Sequence, residues 1–545
     1  MNIPAMTSYE EARSAFEWCL PNRFNFGRDV VDFHAEHGNR LALLWTSDDV
    51  PSRRFNFLDV SVQSSRMAHV LQRSGLRKGD RIIVQLPRIP EWHLVMTACT
   101  KLGLIPIPCI EMLTAKDVGY RAAHSGAIAV ATTPANAQKY EHCLTVRRRF
   151  SIGSFVKADD DGWIDLLHES ARESSEFSCV EVDIEDPVLI YYTSGSTGNP
   201  KGVTHAARAL WAWKLSAAYW QQVGAGDLNW CTADTGWGKA GTGVLFSPWG
   251  MGSAVMFHHG KFDAKRRLQL IAEHGVTVFC AAATEFRQLI QLDVSLFDLS
   301  KLRLCVSAGE SVNPDVVKRW LLMTGVKLLD GYGQTETLMT ILNYPSMPVK
   351  PGSMGRPIPG TDFEVISPEG SILPENDIGQ IAMRLPNPQF MLGYWNDEAK
   401  TRDAIATSAG NEYWLTGDLG YRDVDGYYYY TGRADDIINC AGYRIGPTEV
   451  ENALIQHEAI VETAVIAKPD RERGEIVKAF VVLKSGYVAD EVLMRSIQDF
   501  VKAITAPYKY PREIEFVESL PKCPAGKLLR RELRAIEQAR LEGSV

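Results

Sequence analysis

One stretch of this 545-residue chain gathers hydroxyl side chains, glycines and a lysine: Thr193-Ser194-Gly195-Ser196-Thr197-Gly198-Asn199-Pro200-Lys201-Gly202. It follows the apolar run Val188-Leu189-Ile190, a buried strand by its pattern, bounded by Asp186-Pro187. Glycine lets backbone come close to a ligand and take positive φ, hydroxyls and amides supply donors, and Lys201 adds a point charge. Such a loop suits the oxygens of a polyphosphate. A Walker-type loop is ruled out, because Lys201 stands between Pro200 and Gly202 and no Ser or Thr follows it. A nucleophile elbow is ruled out too, since Gly195-Ser196-Thr197-Gly198 is one residue short of Gly-x-Ser-x-Gly. On composition alone an ordinary surface loop fits as well.

Other candidates follow in order. Asp330-Gly331-Tyr332-Gly333-Gln334-Thr335-Glu336-Thr337 comes after a strand expected to end at Leu329, and ligands bind at carboxyl ends of strands in open α/β sheets. By spacing alone it also fits the capped start of a helix. Ala308-Gly309-Glu310-Ser311 follows another strand. Asp418 closes Tyr413-Trp414-Leu415-Thr416-Gly417-Asp418, and its two acceptor oxygens match two adjacent hydroxyls, although Thr-Gly-Asp is often only a turn. Arg433 lies further on, in Gly432-Arg433-Ala434-Asp435-Asp436. Lys527 sits in Pro521-Lys522-Cys523-Pro524-Ala525-Gly526-Lys527, where a lysine is by itself a solvated charge.

Taken together and in this order, the motifs resemble the adenylate-forming superfamily of acyl-CoA synthetases, luciferases and nonribosomal-peptide adenylation domains, over about residues 40–535. The resemblance implies that ATP is bound by residues 193–201, by Gly309, Glu310 and Ser311, and by Asp330, Gly331, Tyr332, Gly333 and Gln334. It implies Thr335 on a phosphate oxygen, Glu336 on Mg2+, Asp418 on the ribose diol and Arg433 on the nucleotide. Glu336 is a hard oxygen donor of the kind that ion prefers. Lys527 would be catalytic, placing a cation where charge builds on the α-phosphate and the attacking carboxylate. Asp435 matches a hinge.

Within the superfamily the chain is most similar to medium-chain acyl-CoA synthetases, through Ala233-Asp234-Thr235-Gly236-Trp237-Gly238, residues 432–452 and residues 505–512. That implies coenzyme A as a second cofactor, handled by Ala441, Gly442, Tyr443, Arg444, Arg473, Lys502, Tyr510, Pro511 and Arg512. For Lys502 and Arg512 a solvated basic face is an open alternative. The acyl pocket is expected at Trp237, Gly238, Lys239 and Gly333, with glycine at 333 leaving room where acetate-restricted members carry tryptophan. Lys239 must reach water or a carboxylate, or it shortens the pocket. The expected reaction is ATP-dependent formation of an acyl-adenylate from a short- or medium-chain, branched or aromatic acid, then of the acyl-CoA thioester, with release of AMP and pyrophosphate. An aryl-CoA (benzoate-type) ligase and a non-catalytic nucleotide sensor are the alternatives. The presence of Glu336, Arg433 and Lys527 counts against the sensor.

These residues need a framework of alternating strands and helices, which argues for a layered α/β fold with a largely parallel sheet. Strands are expected at 81–86, 104–110, 127–133, 254–257, 276–282, 302–308 and 326–329, and helices at 91–103, 205–222, 264–274, 284–292 and 314–324. Prolines in 104–110 suggest an edge strand. From 361 short alternating runs indicate a small β-rich subdomain, and from 447 a compact α+β unit. The expected division is an N-terminal AMP-binding domain, 1–434, and a mobile C-terminal domain, 435–545. The first comprises α/β subdomains of about 1–185 and 186–345 and the β-rich 346–434.

Net charge of −8 offers no basic footprint for nucleic acid. Ten cysteines without any Cys-x-x-Cys argue for reduced thiols and against a zinc site. No apolar run approaches the ~18 residues that span a bilayer, and the acidic start lacks the order of a secretion signal. A cytoplasmic protein, compatible with a homo-oligomer, is the expectation.

Overall fold

The computed structural model describes residues 3, 5–154, 162–193, 199–434, 436–440, 443–470, 473–506, 508–522 and 528–542, with backbone alone at 443, 444, 541 and 542. Its centre is a nine-stranded sheet in the order Arg356–Pro357, Leu338–Leu342, Leu328–Gln334, Leu304–Ala308, Val278–Ala281, Leu228–Cys231, Ala254–His259, Leu41–Ser47, Arg53–Asn56. The inner strands are parallel and only the two ends are antiparallel. A second, fully parallel sheet runs Ile105–Pro108, Arg81–Gln85, Ala129–Thr132, Arg148–Ser151, Trp163–Asp165. Its proline-bearing strand lies at the edge, where a missing N–H costs no ladder bond.

Local sequence explains where the helices stop and start. Pro90–Leu102 opens on proline and ends at Gly103, whose φ of 69° closes the last turn. Ala264–His274 begins where the Asp263 carboxylate accepts from the Arg266 N–H at 2.7 Å, and ends at left-handed Gly275. Pro314–Thr324 combines an Asn313 cap, proline in its first turn and Gly325.

Two expectations are corrected. Residues 205–222 are not one helix. His205 and Ala206 finish the strand Lys201–Ala206, which pairs antiparallel with Pro187–Thr193, so the helix starts only at Ala207 and turns irregular by Ser216–Gln221. Trp211, Trp213, Tyr219 and Trp220 of this stretch are all buried. The strand expected to end at Leu329 does not stop there, and residues 330–334 do not start a helix. The strand runs Leu328–Gln334 and folds back through residues 335–337 onto Leu338–Leu342.

Beyond these sheets lie a five-stranded antiparallel sheet built from Phe363–Ile366, Gly379–Arg384, Asn411–Arg422, Ile405–Ser408 and Tyr428–Arg433, and then a smaller α+β unit. That unit has its own core, with Ile438, Val450, Leu454, Val465, Val477 and Ile497 closed between a sheet and the helices Pro447–Leu454 and Glu491–Ile504. In it Lys478 is buried against Glu513, Glu515 and Glu537, so the charge is taken from water only where three carboxylates replace the hydration. The architecture is therefore a large layered α/β and β-rich body followed by a small α+β unit.

Candidate active site

A cleft of about 740 Å³ opens at the carboxyl ends of the parallel strands and is closed from the other side by the C-terminal unit. In it the Asp418 carboxylate is held by three side chains. Tyr332 Oη donates to Oδ2 at 2.6 Å, Gln334 Nε2 donates to the same oxygen at 2.7 Å, and Arg433 Nη1 lies 2.9 Å from Oδ1. Strand pairing sets this up, since Asp418 and Arg433 are register partners on adjacent strands. Burial pushes the Asp418 carboxyl upward, against the Arg433 charge and the donated hydrogen bonds.

Beside it, Glu336 follows the strand Leu328–Gln334 in the tight turn. Its backbone oxygen accepts from Met391 N–H at 2.9 Å, and its Oε1 accepts from Tyr394 Oη at 2.8 Å. Lys201, at the start of its strand, holds its Nζ 4.8 Å from the Tyr394 ring centroid. Thr193, Thr335, Tyr332 and Gly333 line the same cleft. After the strand Leu304–Ala308, Gly309 takes φ 97°, turning Glu310 and Ser311 into the wall. Glu310 Oε1 accepts from the Thr284 N–H at 2.8 Å. Asp330 is buried, its carboxyl accepting from Val312 N–H at 3.2 Å and Gly331 N–H at 2.9 Å, and burial pushes its pKa up to about 7. A wall of hydroxyls, carboxylates and cations, Lys201 and Arg433 among them, can meet the hydroxyls and the phosphate oxygens of a nucleoside polyphosphate. Glu336 and Thr335 are hard oxygen donors and fit a small divalent ion beside it.

Residues 31–395 match the family model described as AMP-binding enzyme, and residues 449–527 match AMP-binding enzyme C-terminal domain. The chain belongs to the AMP-binding enzyme family. It is 39% identical to acyl-coenzyme A synthetase ACSM3, mitochondrial, of Mus musculus over 550 residues, covering 97% of this chain and 93% of that one. Among solved structures it resembles the anthranilate CoA ligase AuaEII in complex with anthranoyl-AMP, with TM-score 0.87, 30% identity, and coverage of 96% and 99%. It also resembles a benzoate CoA ligase from Burkholderia xenovorans LB400, with TM-score 0.81, 26% identity, and coverage of 94% and 100%.

For an AMP-binding enzyme several implied residues lie outside the described ones: Ser194, Gly195, Ser196, Thr197, Gly198, Asp435, Ala441, Gly442 and Lys527. The neighbours of 523–527 are described, and both Lys522 and Leu528 line the cleft, together with Glu451 and Arg530. The coenzyme A set does not gather there. Tyr443 and Arg444 belong to a short strand paired with Ile438–Cys440, Arg473 is exposed in a turn, and none of the described members lines the cleft. Tyr510 is flanked by Lys502 at 4.4 Å and Arg512 at 5.0 Å from its ring, with Arg512 Nη1 donating to its hydroxyl at 3.1 Å. The Pro511 carbonyl accepts from Gln498.

Of the four residues expected in the acyl wall, Trp237, Gly238 and Gly333 line the cleft and Lys239 does not. Trp237 and Gly238 line the cleft, and a Cβ on Gly238 would meet the Leu338 Cδ2 at 3.1 Å and the Tyr191 ring at 3.9 Å. Gly333 lines the cleft through its backbone, and a Cβ there would sit 1.7 Å from the Leu338 carbonyl oxygen. The bulge in the pairing between Tyr332 and Gly333 turns it that way. Lys239 is absent from the cleft wall. Its Nζ donates to the Ala308 carbonyl at 3.1 Å, and Cys280, Cys231, Glu285 and Glu310 keep it charged against the opposing effect of burial. Sequence reasoning missed Tyr394, Trp414, Glu451 and Arg530, all of which line the cleft. Tyr394 sits in Gly393-Tyr394-Trp395, with nothing in its neighbours to mark it.

Proposed function

We propose that the protein is an ATP-dependent acyl-CoA synthetase, an AMP-forming acid–thiol ligase. The carrying observation is the cleft itself, where Asp418, held by Tyr332, Gln334 and Arg433, stands beside Glu336 and Lys201. In the first step a carboxylate oxygen attacks the α-phosphorus of ATP and pyrophosphate leaves, giving the acyl-adenylate. In the second, the coenzyme A thiol attacks the acyl carbon and AMP leaves.

The residues divide this work. Asp418 takes the ribose hydroxyls, exchanging its present donors for them, while Gly309, Glu310, Ser311 and Tyr332 bound the adenine. Residues 193–201 and Thr335 hold phosphate oxygens. Glu336 and Thr335 would hold magnesium, which when bound neutralises charge between phosphates. Lys527 supplies the cation of the first step, supported by the exposure of its neighbours Lys522 and Leu528 to the cleft. Rotation at Asp435 then brings the coenzyme A residues round, because the described ones stand away from the cleft in the present arrangement.

The acid is short to medium in chain length, branched or aromatic. The apolar wall of Trp237, Tyr191 and Leu338 around Gly238 supports this, and the two structural relatives named as aryl-CoA ligases favour an aromatic acid as the second reading. No helix among the described residues is long and apolar enough to cross a membrane. The mammalian relative is named as mitochondrial, so it lends no support to a cytoplasmic location, which rests here on the unpaired state of every described cysteine. The test is pyrophosphate release with acids from acetate to long fatty acids plus benzoate and anthranilate, with and without coenzyme A. Release with medium or aromatic acids, and thioester only with coenzyme A, is expected. Nucleotide binding without turnover of any acid would leave the sensor reading standing instead.

A further inference from the structure

We propose that Tyr394 is a positioning residue for adenylate formation, fixing the Glu336 carboxylate with its hydroxyl and seating Lys201 on its ring. This rests on reading the cleft as a MgATP site. Tyr394 touches both groups at once, with Oη 2.8 Å from Glu336 Oε1 and the ring centroid 4.8 Å from Lys201 Nζ. It is itself nearly buried and lines the cleft.

Its own strand is tied to both sides of the site. Gly393–Tyr394 pairs with the strand Lys201–Ala206 through Gly393 with Thr204 and Tyr394 with Val203. The Trp395 N–H donates to the Gly202 carbonyl at 2.7 Å, and the Met391 N–H donates to the Glu336 carbonyl at 2.9 Å. One short strand therefore spans from the end of the phosphate loop to the turn that carries Glu336.

A carboxylate on a turn has several rotamers to lose, and a donated hydrogen bond selects one before the ligand arrives. The ring does a second thing. Lys201 and Glu336 both contact Tyr394, and two such opposite charges left alone would pair and neutralise each other. With the ammonium held on the ring face, the cation stays available to phosphate and the carboxylate to a metal ion.

The test measures ATP affinity by titration calorimetry, once with Mg2+ and once with EDTA, alongside the two half-reactions. Tyr394→Phe keeps the ring and removes the hydroxyl. It should leave metal-free ATP affinity unchanged and cut the gain in affinity given by Mg2+ on the order of ten-fold, the worth of a hydrogen bond to a charged group. Pyrophosphate formation should slow by a similar factor, with thioester formation from supplied acyl-adenylate unchanged. Glu336→Gln should abolish the Mg2+ gain, and adding Tyr394→Phe to it should change nothing further. Tyr394→Leu, lacking the ring, should weaken metal-free ATP binding as well. A wild-type Mg2+ gain in Tyr394→Phe, additivity with Glu336→Gln, equal loss of both half-reactions, or a Tyr394→Phe chain too unstable to measure would each overturn the proposal. A wild-type protein that binds no ATP under either condition would overturn the nucleotide reading itself.

Discussion

Asp330 shows how the cleft stores a titration. Burial is the main reason its carboxyl rises to about 7, Glu310 adds to it, and backbone N–H donors with Lys239 oppose it. In the unfolded chain the same group titrates near ~4, so between these values the native state holds the extra proton. The stability it contributes is fully present below about pH 4 and is lost as pH rises through about 7. Asp330→Asn removes that loss, so its Tm should gain on wild type as pH goes from 5 to 8, by the equivalent of a few kcal/mol at most. Thermal unfolding across that range checks it, and a pH-independent difference would refute it. Two glycines give a paired prediction. Gly238→Ala meets only side-chain ends and should fold, fill part of the acyl wall and lower kcat/KM for longer acids about three- to five-fold, with KM for ATP unchanged. Gly333→Ala must displace the Leu338 carbonyl, so it should lose several degrees of Tm and activity towards all acids alike.

At the scale of elements, whatever depended on local pattern was legible. Pro314–Thr324 and Ala264–His274 fall where the sequence puts them, because Asn313, Asp263, Pro314 and the closing glycines act through neighbours a few residues away. What escaped depended on partners distant in sequence. His205 looks helical among alanines and tryptophans, but pairing with Leu189 draws it into a strand. Asp330 to Gln334 look like a loop for their glycines, yet Leu338–Leu342 folds back and makes them a strand. Within the site the residues expected to face a nucleotide were legible through recognisable motifs, and all the described ones except Asn199 and Pro200 line one cleft. Tyr394 was not, since its importance lies in contact with Glu336 and Lys201, far from it in sequence. Lys239 was misassigned for a related reason. A helical turn places it under the strand end at Ala308, and no sequence pattern gives that direction.

The whole molecule couples the C-terminal unit to the cleft through its last helix. Arg530 and Arg534, in Arg530–Glu542, reach back to Asp436 at 3.8 and 2.5 Å, and Arg530 also grips Glu451 at 2.6 Å. Asp436 directly follows the proposed hinge, and the Arg433 carbonyl accepts its N–H at 3.1 Å. A rotation at residue 435, which lies outside the described residues, would be passed through Asp436 to the start of that helix, which residues 523–527 precede in sequence. In the present arrangement this places Lys522 and Leu528 on the cleft and leaves the described coenzyme A residues away from it, which is the geometry the first half-reaction needs. Lys527→Ala should therefore slow pyrophosphate formation on the order of a hundred-fold or more, as expected when a cation aimed at developing charge is removed. Thioester formation from supplied acyl-adenylate and coenzyme A should survive, since on the proposed rotation the second step does not use that lysine. Asp435→Pro, which fixes φ near −65° and removes a donor, should instead trap one arrangement and depress one half-reaction far more than the other. Single-turnover measurement of both half-reactions in the two variants decides between these roles. If Lys527→Ala loses both steps equally while its Tm is unchanged, residue 527 serves closure of the unit rather than the chemistry of the first step.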